Sequence, residues 1–305
     1  MKKIIVSLIF SMSLLAAKAQ FSKIAPDDLV QMNLYQDTLR MLGDSLAYSN
    51  DWSIREHAAV QMVRTLVKTL KPDNSFYYPL DSQMMITTLY PENKEFRIFT
   101  FPLKLKDNTY RYYGAIQMQT SSLTLFPMID MSLFIENPQT DTLNCDNWYG
   151  AYYYNIKEIE TNAQSYYLLF GWDGVDDFTT RKIADILWFD DSGTPQFGLP
   201  VFAVSDTEIK NRVFIEYKDD ASPTLNYDEE YKMIIYDYLR PENPMSVGIY
   251  MTYIPDGTYQ GYKLDKKTNL WIFQEKVFDH ILDKPPLNKP KYEGEDPNIY
   301  IKRDN

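Results

Sequence analysis

Two periodicities divide the chain. Leu29, Met32, Tyr35, Leu39, Leu42 and Leu46 recur every three or four residues, the spacing of one apolar helix face. Asp27 and Asp28 open that helix, since acids in a first turn complement the helix dipole. Asn50-Asp51-Trp52-Ser53 interrupts it, and Ser53 with Glu56 predicts a capping box for a second helix. Ala59, Met62, Val63, Leu66 and Leu70 form its apolar face, and Pro72 ends it. From Phe76 onward the period drops to two. Phe99, Phe101, Leu103 and Leu105 alternate along one such run, predicting one side of a strand.

The middle of the chain shows this pattern most clearly. Tyr166-Tyr167-Leu168-Leu169-Phe170 and Ile183-Ala184-Asp185-Ile186-Leu187-Trp188-Phe189 flank a turn rich in Gly and Asp, which predicts a hairpin. Trp172 continues the row Tyr166, Leu168, Phe170 and is expected on their face. Asp173 has the opposite parity and is expected at the mouth of the turn, accepting bonds from turn N–H groups. Further strands are predicted at 110–119, 123–129, 148–156, 196–204, 212–217, 231–239, 247–254, 259–264 and 270–277, with Asp191-Ser192-Gly193 and Pro255-Asp256-Gly257 as turns. The fold class that follows is α+β: an N-terminal helical pair packed on a large antiparallel β-sheet system, sandwich or barrel-like. The expected division is a signal peptide at 1–19, a helical segment at 20–75, an antiparallel β domain at 76–283 and a Pro-rich extended tail at 284–305.

The address comes from the N-terminus. Lys2 and Lys3 precede an apolar core from Ile4 to Ala17, and Ala17-Lys18-Ala19 is a small-residue cleavage site. The expected mature chain starts at Gln20, without a membrane span, in the periplasm or outside the cell. Loss of Lys2, Lys3 and Lys18 takes the formal charge from −11 to −14. Such a chain repels phosphate backbones, so nucleic acid is not an expected partner. The single Cys145 forbids an internal disulfide, and its polar surroundings predict an exposed, chemically idle thiol.

Candidate chemistry is sparse. His57 and His280 are the two histidines, and no G-x-S-x-G elbow accompanies them, so neither a His-dependent hydrolase nor a His/Cys zinc site is expected. The residues best placed to bind a ligand are Trp172, Asp173, Asp176, Asp177 and Arg181 around the central turn. Oxygen-rich turns can hold Ca²⁺, but Asp-Gly-Val-Asp-Asp lacks calcium-loop spacing, and the reading favours a solvated hairpin with no metal and no cofactor. Asp185 and Asp237 lie in apolar rows. They are expected to be buried, structural acids with Arg or Tyr partners, and Arg181 shares the row of Asp185 at pairing distance along the strand.

Arg97-Ile98-Phe99-Thr100-Phe101, Tyr110-Arg111-Tyr112-Tyr113-Gly114, Asn147-Trp148-Tyr149-Gly150-Ala151, Leu169-Phe170-Gly171-Trp172-Asp173-Gly174 and Pro255-Asp256-Gly257-Thr258-Tyr259 carry a resemblance. So do Arg181-Lys182-Ile183, Phe197-Gly198 and the Ala-Gln cleavage boundary. In these landmarks the chain resembles a family of exported β-rich Bacteroidota proteins with no established activity. The resemblance implies one continuous β-rich unit and export, and brings no catalytic residues. The expected role is therefore a binding or envelope-assembly protein whose partner is an envelope protein or a glycan. The alternative is a carbohydrate-active hydrolase using a carboxylate pair, which would need two acids converging on a cleft.

Overall fold

The computed structural model describes residues 24–80 and 85–278. The expected signal peptide, the Pro-rich tail and His280 lie outside the described residues. Helix α1 (Pro26–Tyr48) begins with Pro26, Asp27 and Asp28 in its first turn and buries Met32, Leu39, Gly43 and Leu46. Helix α2 (Trp52–Leu70) buries Ala58, Ala59, Met62, Leu66 and Leu70. Its cap is Asp51, whose carboxylate accepts bonds from the Ser53 N–H and hydroxyl, each at 2.8 Å. Ser53 thus lies inside the helix, and the expected Ser53–Glu56 box gives way to a shorter loop and an earlier start.

The strands then follow in three groups. The first sheet is β1 (Thr87–Leu89), β2 (Phe96–Lys104), β3 (Tyr110–Met118) and β4 (Leu125–Ile129), in the order β1-β2-β3-β4. Next come β5 (Leu143–Asn144), β6 (Tyr152–Glu160), β7 (Ser165–Gly174), β8 (Thr179–Phe189) and β9 (Pro195–Phe197). Then follow β10 (Phe202–Ala203), β11 (Ile209–Lys210), β12 (Val213–Lys218), β13 (Leu225–Asp228), β14 (Met233–Pro241), β15 (Tyr253–Asp265) and β16 (Leu270–Gln274). The second sheet runs β5-β9-β8-β7-β6, with β12 antiparallel to β8; the third runs β11-β10-β16-β15-β14-β13. Among the described residues, all pairings between strands are antiparallel except β10 with β16.

Three apolar interfaces stack these layers. Phe99, Phe101, Leu103 and Ala115 meet the helical pair. Phe96, Ile98, Tyr112 and Ile116 turn the other way, onto Tyr153, Tyr167, Leu169, Ile183 and Leu187 of the second sheet. The opposite face of that sheet, with Tyr166, Leu168, Phe170, Ala184 and Ile186, packs on Ile234, Tyr236, Tyr262 and Trp271 of the third. The result is helices, then three sheets, so the sandwich has one more sheet than two. Strand β7 lies at the centre, buried at every position but Ser165. Gly171 is required there, because a Cβ would come within 2.9 Å of the Tyr153 ring.

Several local expectations change. Trp172 does not join Tyr166, Leu168 and Phe170; it belongs to the cluster that holds Tyr167 and Leu169, and lies edge-on to Tyr110 at 5.0 Å between centroids. A bulge in β6 between Tyr153 and Asn155 lies opposite this part of β7, and bulges increase local twist. The expected turn Pro255-Asp256-Gly257 is a bulge inside the long β15, with the register shift opposite Asp237–Leu239 and Gly257 at φ +88°. Residues 244–252 form two 3₁₀ turns in place of most of a strand, since Pro244 gives the backbone no N–H and Gly248 takes φ +86°. The run 196–204 divides into β9 and β10, and β6 begins at Tyr152. Cys145 is half-buried against the cluster around Trp148, and burial pushes its thiol up to about 11.

Buried Arg97 fastens the segment after α2 to the first sheet. Its guanidinium donates to the carbonyls of Ser75 and Tyr78, to Tyr90 and to Gln117, at 2.8 to 2.9 Å. It also lies 4.9 Å from the centroid of Phe99. The two-sided burial of β7 yields a test. Phe170→Ala is expected to lower the unfolding free energy by about 3–5 kcal/mol in chemical denaturation. A loss below about 1 kcal/mol would contradict the layering.

Candidate functional site

A polar cluster that joins two sheets forms where β7 and β8 approach their turn. The strand register sets Asp173 directly opposite Arg181, and Arg181 opposite Glu216 of β12. Tyr112 of β3 donates to Asp173 Oδ1 at 3.1 Å, and Tyr149 donates to Oδ2 at 2.8 Å. Arg181 donates to Tyr149 Oη and to Glu216, and lies 3.4 Å from Asp173 Oδ2. Its guanidinium carbon is 4.7 Å from the centroid of Phe214. The Gly174 N–H donates to the Tyr112 hydroxyl at 2.9 Å.

A second acid holds the two tyrosines in place. Asp130 Oδ2 accepts the Tyr112 N–H at 2.8 Å, and Oδ1 accepts from the Ser132 N–H and hydroxyl. Ser132 Oγ in turn accepts the Gly150 N–H at 2.8 Å. A Cβ at residue 150 would fall 2.4 Å from the Asp130 carboxyl carbon, so this approach needs Gly150. Burial pushes Asp173 above the usual carboxylate range, opposed by Arg181 and the tyrosine bonds. Burial and the Asp173 charge push the Tyr112 and Tyr149 hydroxyls up. Each oxygen of Asp173 already accepts from a tyrosine, and Arg181 joins Asp173 to Glu216. This arrangement fixes an acid in place and ties the first and second sheets together.

The five residues expected at the turn separate into two sets. Trp172 and Asp173 are buried and Arg181 is half-buried in the cluster. Asp173 is therefore not at the mouth of the turn: its acceptors face tyrosines from β3 and from the segment before β6. Asp176 takes the turn role, accepting the Phe178 and Thr179 N–H groups at 2.7 Å each. Asp177 is exposed, accepting from Asn108 Nδ2 at 2.8 Å with Lys104 at 3.8 Å. Asp185 is fully buried, but its partner is Arg212, at 3.0 Å from Nε, and not Arg181. Burial raises Asp185 and Arg212 opposes that rise. Arg212 also donates to the carbonyls of Pro138 and Asp141. Asp237 is buried and accepts from the Thr224 N–H and hydroxyl, in place of an Arg or Tyr. Among the described residues no cluster of three or more His, Cys, Asp or Glu side chains could hold a metal.

Tyr112, Tyr149, Glu216 and Arg212 are the residues that sequence reasoning missed. Glu216 had a signal: Val213, Ile215 and Tyr217 alternate with Phe214, Glu216 and Lys218. Beside this edge lies a second feature. The Tyr250–Thr252 turn packs on β12 and β8, and the Glu242 N–H donates to the Thr252 carbonyl at 2.9 Å. The loop it closes exposes Met245 at 87% and Val247 at 73%, with Ile249, Tyr250 and Met251 also exposed.

A raised folded-state pKa for Asp173 fixes the sign of a pH effect. The contribution is fully present below the unfolded value, about 3.9, and is lost as pH rises through the folded value. The stability of wild type minus that of Asp173→Asn should therefore fall as pH rises from about 4, measured by urea denaturation. A difference that grows over the same range would contradict the assignment. Comparison with protein-family models, curated proteins and solved structures returns no match.

Proposed function

We propose that the protein is exported and serves as a non-enzymatic binding or envelope-assembly component that docks another protein through residues 244–252. The observation that carries this reading is the run Met245, Val247, Ile249, Tyr250 and Met251, all exposed on one loop. Contiguous exposed apolar side chains are unfavourable in water unless a partner covers them. Their aliphatic and thioether character favours a protein over a glycan, and adaptable Met side chains are common at such surfaces. The loop rests on strands β8 and β12 that the Asp173–Arg181–Glu216 cluster fastens, so a rigid base supports it. Export is supported by the N-terminal sequence, and no described helix is long and apolar enough to cross a membrane. The carboxylate-pair reading draws less support, because Asp173 and Glu216 share Arg181 and Asp173 is buried.

The test compares wild type with Met245→Asp/Val247→Asp, each purified from the native envelope after cross-linking. Because both side chains are exposed, the melting temperatures should agree. A partner protein held by wild type should fall about tenfold in the variant, the weight of one or two interface contacts. An unchanged set of co-purifying proteins would overturn the proposal.

A further inference from the structure

Helix α1 forms the outermost layer, and its outer face carries an apolar row among polar residues. Val30, Leu34, Met41 and Tyr48 are each more than half exposed. Their spacings are four, seven and seven residues, so at 3.6 residues per turn they lie within about 40° of one another. Buried Met32, Leu39, Gly43 and Leu46 occupy the opposite side. That inner side packs on α2, and Tyr78 donates to Asn33 Oδ1 at 2.8 Å nearby. The outer row extends along about 27 Å of helix. Single exposed apolar side chains are ordinary, whereas a row at heptad spacing is the seam of a helix–helix contact.

The acids in this seam indicate what covers it. Leu34, Met41 and Tyr48 share one heptad position, and Val30, Asp37 and Asp44 share the complementary one. Asp37 and Asp44 are exposed. Helix α1 carries Asp27, Asp28, Asp37 and Asp44 against Arg40 alone, and Arg40 is paired with Asp37 at 2.6 Å. A second copy of α1 would bring aspartates against aspartates if parallel and against apolar side chains if antiparallel, so in neither arrangement would Asp37 and Asp44 gain a cation. An anionic lipid surface requires a basic frame around the apolar row.

We propose that the outer face of α1 is a docking seam for a basic amphipathic helix of a partner protein, with apolar residues against Leu34 and Met41 and Lys or Arg against Asp37 and Asp44. This inference rests on the reading of the chain as a binding protein but uses a separate surface. Substitutions at Met245 and Val247 should leave it intact, so failure at one surface is distinguishable from failure at the other.

The test uses the mature full-length chain and two synthetic peptides of about four heptads, with Leu at one seam position and either Lys or Glu at the other. The Lys peptide should bind saturably, weaken as salt rises, and outcompete the Glu peptide. Leu34→Asp/Met41→Asp should weaken binding by about tenfold or more, although it adds negative charge. General attraction of a cationic peptide to an acidic protein would instead strengthen. Asp37→Asn/Asp44→Asn should flatten the salt dependence, and equal melting temperatures would establish that the variants fold. No saturable binding of the Lys peptide would overturn the proposal, as would equal binding by Leu34→Asp/Met41→Asp. It would also fall if light scattering showed a dimer that this variant breaks, or if phosphatidylglycerol vesicles bound through the same residues.

Discussion

A strand with apolar side chains at both parities has two faces to remove from water. In β7 the odd residues Tyr167 and Leu169 face the first sheet, while Tyr166, Leu168 and Phe170 face the third. Covering only one face would leave large apolar rings in water, at about 1.5–3 kcal/mol per side chain. A sheet must therefore lie on each side of the second one. The same condition applies to β2, whose Phe96 and Ile98 face the second sheet while Phe99 and Phe101 face the helices. The stack of helices and three sheets follows from these two-faced strands.

Polar groups taken into the stack fasten its layers. Arg97 joins the segment after α2 to the first sheet, and its bonded partners are carbonyl, hydroxyl and amide oxygens. Asp173, with Tyr112, Tyr149 and Arg181, joins the first sheet to the second. Lys157 reaches Glu92 beside the first sheet at 2.6 Å and Glu229 beside the third at 2.9 Å. Arg212 ties Asp185 to the 138–141 loop, with Asp185 Oδ2 and Arg212 Nη2 left without a hydrogen-bond partner among the described residues. In the buried pair Asp185–Arg212, loss of either partner would leave an uncompensated charge inside the stack. The cost of their desolvation is borne by the aromatic interfaces around them.

Much of this architecture is legible in the sequence, because periodicity reports which faces need cover. The alternation of Phe99, Phe101 and Leu103 identifies the face beneath the helices, and the Tyr166–Phe189 stretch identifies the central hairpin. Its continuous apolar run also contains the requirement for two covering layers. The site is less legible. Tyr112 and Tyr149 reach Asp173 from 61 and 24 positions away, and no local pattern announces such a meeting. Parity misplaces Trp172, which lies edge-on to Tyr110 in the cluster between the first and second sheets. Pro255-Asp256-Gly257 has turn composition, yet pairing of β15 with β14 on both sides turns it into a bulge. On α1, the row Leu29 to Leu46 explains the helix, but Val30, Leu34, Met41 and Tyr48 form a second row whose exposure only the packing reveals.

The central claim is that the doubly covered β7–β8 hairpin is the stability core on which the other layers rest. Native-state hydrogen exchange across a denaturant series tests it directly. Interior amides of β7 and β8 should exchange only through global unfolding, and those of α1 and the short outer strands through smaller openings. Exchange of the hairpin amides through a low-energy opening while α1 or the third sheet stays protected would contradict the account.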